Sequence, residues 1–380
     1  KELRTFGTTT GALLTLLDWL VAAGCTHVAM ESTGVYWKPV FNILEGSFAQ
    51  VLVVNARDVK ALPGRKTDML DAEWIAQLLQ HGLLRGSFIP PAPIRALREA
   101  TRYRKQLIRT RADEANRIQK LLEAANLKLG SVATDILGVS GRAMLAALVK
   151  GETDASALAG LAKGRLRQKR DRLVAALTGQ ITPVQRALLG QQLAHVEYLD
   201  RAIAELDSLI ATLMAPYQAE ADRLRTTTGI EQRTAEALIA ELGVDMGVFP
   251  SDRHCASWAG MCPGNNESAG KRKSGKTRKG SKWLRAALVE AAWATSRTQT
   301  YLGAQYHRIA RRRGKKKAIV AVAHSILVIA YHLLKEGTTY RDLGHDYFDK
   351  RETARLQQRL IARLESLGLR VTVEPLPQAA

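Results

Sequence analysis

Between Pro183 and Pro216, Leu189, Val196, Ile203 and Ile210 recur every seven residues, and Leu199, Leu206 and Leu213 each fall three positions after a member of that row. This is the a/d spacing of a coiled coil, so the segment predicts a long helix that needs a partner helix. Val and Ile at a with Leu at d favour a parallel two-stranded pairing, which predicts a dimer. An antiparallel hairpin with a helix over about Gly164 to Leu177 satisfies the same stripe, and the pattern alone leaves both open.

The charge balance constrains the partner. Lys and Arg number 56 against 36 Asp and Glu, a formal net charge of +20 with an isoelectric point near 10.1. That is too basic for an ordinary metabolic enzyme and points to a polyanion. Hydrophobic residues fill 46% of 380 positions, enough for packed cores in two or three domains. Cys25, Cys255, Cys262 and the eight histidines lack zinc-ligand spacing, so neither a structural metal nor disulfides are expected, and a reducing cytoplasm is. The apolar run from Ala318 to Ala330, broken by His324 and Ser325, is too short to cross a bilayer and predicts a buried helix rather than a membrane span. No signal peptide is visible, and the chain opens at Lys1 without methionine, so upstream residues are expected.

The amino-terminal part alternates β-type runs, Thr26 to Met30 and Val51 to Val54, with helical patterns, which predicts an α/β domain. Glu31 ends the first run. Asp68 and Asp71, at i and i+3, share one face where the helical pattern from Ala72 to Leu79 begins. Each carboxylate alone reads as a helix-dipole partner or an exposed strand end. Together, in so basic a chain, they also suit a divalent metal ion acting on a phosphodiester. Pro90, Pro91 and Pro93 punctuate the chain. The helix that follows, from Ile94 to Leu129, carries Arg102, Lys105 and Arg109 among ten cations. It is either a solvated face or a nucleic-acid contact, and the net charge favours the contact.

Residues 267–280 place Ser268 in a glycine-punctuated segment with Lys271, Arg272, Lys273, Lys276, Arg278 and Lys279. It reads as a flexible cationic loop that holds a phosphate. Serine supplies an oxygen nucleophile and the cations neutralise a phosphodiester; the plainer reading is a basic grip without chemistry. Arg311, Arg312 and Arg313, followed by Gly314 and three lysines, read as a second phosphate grip. The turn at Gly229-Ile230 is similar to half of a helix-hairpin-helix, but Glu231 stands where a glycine is expected, so an ordinary helix start is the safer expectation.

Glu31-Ser32-Thr33-Gly34, Lys66 to Ala72 around Asp68 and Asp71, and Trp258 to Gly280 around Ser268 occur in an order that resembles insertion-sequence transposases of the Asp-Glu-Asp-Asp type. These are relatives of the Piv DNA invertase and include bridge-RNA-guided recombinases. The resemblance spans roughly Thr26 to Gly337. It implies an α/β plus α fold: a RuvC-like, ribonuclease-H-type domain over residues 1–93 without its first strand, a helical coiled-coil region over 94–222, a mainly helical transposase domain over 223–345, and a basic tail over 346–380. Glu31, Asp68 and Asp71 would match the second to fourth acidic ligands of Mg2+, with the first upstream of Lys1, and Ser268 would match the nucleophile. Implied partners are donor and target DNA, a structured bridge RNA, and further copies of the chain in a dimer or tetramer, at the bacterial nucleoid. Two other readings stay in view: a Holliday-junction-type metal nuclease that uses water, and a non-catalytic nucleic-acid scaffold.

Overall fold

Two units divide the chain, residues 1–91 and 92–380, and the computed structural model describes residues 2–55, 68–264, 266–351 and 353–372. The motif residues Lys66 and Thr67, and the side chains of Asp68, Ser268, Arg272 and Lys273, lie outside the described residues.

The first unit runs α1 (Thr10–Ala22), β1 (His27–Glu31), α2 (Trp37–Leu44), β2 (Gln50–Val54) and α3 (Asp68–Gln80). Thr9 caps α1 by accepting from the amide of Ala12, as a short hydroxyl side chain does at a helix start. β1 and β2 pair in parallel, from His27 opposite Gln50 to Glu31 opposite Val54. A parallel pair needs a crossover, and the amphipathic α2 supplies it. Val54 packs with Ile75 and Leu78 of α3, flanked by Leu52 and Trp74. β2 is therefore apolar and Val-rich, as a strand covered by helices is.

The second unit opens with α4 (Ala92–Ala124), followed by α5 (Leu129–Val132), α6 (Val139–Lys150), α7 (Ala155–Gly160), α8 (Arg170–Leu177) and α9 (Pro183–Met214). Thr182 and Gln185 form a reciprocal capping box with Pro183 in the first turn, which fixes where α9 begins. The heptad stripe of α9 finds its partner in α4 of the same chain. Arg104 pairs with Asp207, Arg111 with Asp200, and Glu114 with His195; numbers rise along one helix as they fall along the other, so the two run antiparallel. This corrects the expected hairpin partner, because α8 packs instead among α5 and α7. Leu189 and Val196 lie in one core with Ile118, Leu122, Met144, Leu145 and Leu173.

The chain continues through α10 (Gln218–Arg225), α11 (Gln232–Leu242), α12 (Asp252–Trp258), β3 (Asn266–Ser268), β4 (Lys271–Ser274), α13 (Lys282–Thr295), α14 (Tyr301–Arg313), α15 (Lys315–Glu336), α16 (Tyr347–Arg351) and α17 (Thr353–Glu365). α15 extends past the apolar run read from the sequence. Its 22 residues are long and apolar enough to cross a membrane by composition, but Val322, Ala323, Ile326, Leu327 and Ala330 are fully buried against the rest of the unit. Gly229, at φ +88°, lies so close to α13 that a Cβ would come 2.6 Å from the Ala291 carbonyl oxygen. That glycine turn packs on protein. The fold is mostly helical with a small parallel sheet, an α/β plus α architecture.

Candidate functional site

In the first unit, Glu31 is the last residue of β1 and half-buried. Its Oε1 accepts a 2.8 Å hydrogen bond from the Thr33 hydroxyl, and the Ser32 amide donates to the Val54 carbonyl at 2.8 Å. The chain thus leaves the strand in a fixed direction. Asp71, also half-buried, lies in the first turn of α3, which packs on β1, and Asp68 is the first residue of that helix. The donor chemistry, carboxylate oxygen throughout, fits a hard divalent cation. Among the described residues no three carboxylate, His or Cys side chains cluster closely enough to hold one.

In the second unit, Ser268 ends β3 and is paired with Lys271, the first residue of β4. The expected flexible loop is at this point a β-hairpin. Ala269 and Gly270 form its two-residue connection with φ of +50° and +72°, the left-handed pair that suits the twist of a tight hairpin. Glycine adopts such angles freely, whereas an alanine there costs about 1 kcal/mol. Asn266 pairs with Ser274 and Glu267 with Arg272, so a bulge interrupts β4.

The base of the hairpin is backbone packed on backbone. The Gly264 amide donates to the Lys276 carbonyl at 3.0 Å. A Cβ on Gly280 would lie 2.2 Å from the Ala259 oxygen, and one on Gly260 2.7 Å from the Gly280 nitrogen. No side chain fits in either place. Beyond the base, Arg285 donates to the Thr277 hydroxyl at 2.8 Å. Ser281 caps α13 by accepting from the Leu284 amide, and its hydroxyl donates to Glu241 Oε2 at 2.8 Å. Glu241, 2% exposed, also accepts two hydrogen bonds from Arg102. Arg98 donates to the carbonyl oxygens of Ala240 and Glu241; its burial lowers the guanidinium pKa to about 10, with Glu241 opposing the shift. Ser281 and Glu241 were not singled out in the sequence. Ser281 carried a usable signal, a serine just ahead of a helical pattern, whereas Glu241 is a carboxylate within the apolar run of α11 and carried none.

The cations divide into two groups. Arg102 and Lys105, expected at a nucleic-acid surface, are engaged by Glu241 and Glu290, while Arg109 is exposed and, among the described residues, unpaired. Lys271, Lys276, Arg278 and Lys279 are exposed around the hairpin. Arg311, Arg312 and Arg313 occupy the exposed last turn of α14, where cations favour the helix dipole. Lys315, Lys316 and Lys317 begin α15, where the dipole disfavours them. This crowding of six cations around Gly314 works against the helix and suits a polyanion. The contact between Cys262 Sγ and His324 Nε2, at 4.0 Å, does not form a nucleophilic pair. Burial pushes the thiol up and the imidazole down, which keeps both neutral.

Comparison with known sequences finds two family matches. Residues 1–127 match a DEDD family of the IS110 type described as a transposase, and residues 221–308 match a family described as transposase of the IS116/IS110/IS902 family. The first segment holds Glu31, Asp68 and Asp71, and the second holds Ser268 and the hairpin. A protein of Sinorhizobium fredii named as a candidate transposase, y4pF/y4sB, is 30% identical over 154 residues, 38% of this chain and 39% of that protein. The chain thus matches about two fifths of the length of that curated relative. With the two family segments together covering more than half of its 380 residues, the chain belongs to the IS110 family of DEDD transposases.

Proposed function

We propose that this chain is a DNA transposase that cuts and rejoins strands through a covalent serine intermediate, with Ser268 as nucleophile. The observation that carries the reading is the hairpin. It holds Ser268 beside a tight turn, on a base that admits only glycine, among exposed cations. A nucleophile needs such a fixed approach to the phosphorus atom, and a solvated basic grip does not.

The Ser268 oxygen attacks the phosphorus of a DNA phosphodiester. A P–O bond to the outgoing strand breaks, the serine proton leaves with that oxygen, and a phosphoserine link conserves the bond energy. The hydroxyl end of an incoming strand then attacks the same phosphorus and releases Ser268, so that rejoining needs no ATP. Lys271, Lys276, Arg278 and Lys279, together with Arg272 and Lys273, neutralise charge on the non-bridging oxygens. Glu31, Asp68 and Asp71, in a RuvC-like domain, would hold Mg2+, which when bound would supply positive charge for phosphodiester chemistry.

On this reading a structured bridge RNA pairs with donor and target DNA, so base pairing reads sequence while the protein grips duplex shape and backbone. Arg109 and Arg311 to Arg313 supply backbone contacts, and Lys105 joins them when released from Glu290. Copies of the chain assemble so that acidic residues and serine act on one phosphate. The test incubates the protein with co-purified RNA, Mg2+ and labelled element-end DNA, followed by denaturing gels and peptide mass spectrometry. A DNA-linked phosphoserine at Ser268, lost in Ser268→Ala and Asp68→Ala, is the expected result. Cleaved DNA without any adduct makes the protein a hydrolytic metal nuclease. Binding without cleavage makes it a scaffold.

A further inference from the structure

A cleft of about 220 Å³ opens between α4, α11 and α13. Ile108 and Ala237 give it an apolar floor, Trp283 forms a wall, and Arg102, Lys105 and Arg233 lie along it. The volume is below that of pockets for drug-sized ligands and suits one planar ring rather than a base pair. Four cations line it against two carboxylates, so it favours an anionic ligand.

The aromatic wall is held among cations. The Arg102 guanidinium lies 5.9 Å from the Trp283 ring centroid and the Lys282 ammonium 5.1 Å. Arg102 is fixed there by its two bonds to Glu241, whereas Lys282 is exposed and gives way to an incoming ring. The two outer cations are only loosely committed. Lys105 meets Glu290 with side-chain exposures of 45% and 59%, and Arg233 meets Asp207 with 58% and 37%. Such surface pairs contribute little, so both cations can turn to a phosphate at small cost.

We propose that this cleft holds one unpaired nucleotide of a nucleic-acid strand, with its base stacked on Trp283 and its phosphate between Lys105 and Arg233. Sequence-tolerant stacking on an aromatic ring beside a cationic track is how single strands are held. The inference rests on the nucleic-acid-binding part of the proposed function and is independent of the chemistry at Ser268.

The test measures binding of the full chain to three probes of matched length: single-stranded DNA and RNA, each carrying one 2-aminopurine, and a fully paired DNA duplex. Wild type should quench the 2-aminopurine on stacking. Trp283→Ala should abolish the quench and weaken single-strand binding roughly tenfold, with duplex binding retained, and Trp283→Phe should restore most of both. The probe with the larger loss identifies the source of the nucleotide. Equal losses on strand and duplex, or no loss on either strand, would overturn the proposal while leaving nucleic-acid binding intact. Failure of wild type to bind any probe would remove both this proposal and the reading beneath it. Matching melting temperatures for wild type and Trp283→Phe keep the comparison free of a folding defect.

Discussion

Arg102 grips Glu241 with two hydrogen bonds, Nε to Oε1 at 2.6 Å and Nη2 to Oε2 at 2.7 Å, and the same carboxylate accepts from the Ser281 hydroxyl that caps α13. A charge removed from water is tolerable only when its lone pairs are filled, and here three donors converge on one side chain. The link runs from α4 through α11 to the first turn after the Ser268 hairpin. Long-range packing and the geometry of the candidate site therefore share one buried carboxylate.

Glu241→Ala should lower unfolding free energy by about 3 kcal/mol, near the low end for breaking a buried ion pair, because Arg102 is one-third exposed and can be rehydrated. Glu241→Gln keeps an acceptor and the volume and should recover part of the loss. Urea midpoints of the three proteins measure this, and an unchanged midpoint for the alanine variant would rule out a structural role for the link.

The turn after Ser268 offers a local test. Ala269 holds a left-handed backbone at φ +50°, and replacing it by glycine should stabilise the hairpin by about 1 kcal/mol. Amide hydrogen exchange at Lys271 should slow in Ala269→Gly and quicken in Ala269→Val, whose β-branched side chain fits the angle worse. Exchange rates that ignore both substitutions would mean that the turn does not limit opening.

How much of this was legible depends on whether a residue's role was local. Thr182, Pro183 and Gln185 mark the start of α9 by capping chemistry alone, and the heptad stripe shows that it needs a partner. The partner was hidden. Leu97, Arg104, Arg111 and Ile118 stand seven apart on α4, as do Ala100, Leu107 and Glu114, but the cations of this helix read as a solvated face or, with the net charge in view, a nucleic-acid contact. Only the facing Asp207, Asp200 and His195 turn them into an interface. The hairpin was hidden for a related reason. Its strands are short, Asn-Glu-Ser and Lys-Arg-Lys-Ser, with little β propensity, and Ala269 stands where Asn, Asp or Gly would have announced the turn. The acidic residues and Ser268 were singled out because motif order is a property of the sequence, whereas their assembly in space is not.

Acid should loosen the seam between the two long helices. Burial works to raise the Asp200 pKa, but the hydrogen bonds from Arg111 and Arg142 outweigh it and hold the carboxyl below its ordinary value. A depressed folded-state pKa means that the stabilisation is present above the unfolded value, roughly 3.9, and is lost as pH falls through the folded one. Asp200→Asn should therefore melt below wild type at pH 7, and the gap should close towards pH 3. A gap independent of pH would assign the effect to packing rather than charge.

The cations flanking Gly314 test the nucleic-acid reading without requiring catalysis. Lys315, Lys316 and Lys317 oppose the dipole of their own helix, and the three exposed arginines before them add to the repulsion. A polyanion reverses that cost, because each cation placed against a phosphate releases a condensed counterion. Replacing Arg311, Arg312 and Arg313 together by alanine should weaken duplex binding and reduce the log–log salt slope by roughly 2 to 3. Thermal stability should hold or fall only slightly, since the arginines lie in an exposed last turn. A weaker affinity with an unchanged slope would show that the arginines act on protein conformation, and an unchanged affinity would move the phosphate contacts elsewhere on the chain.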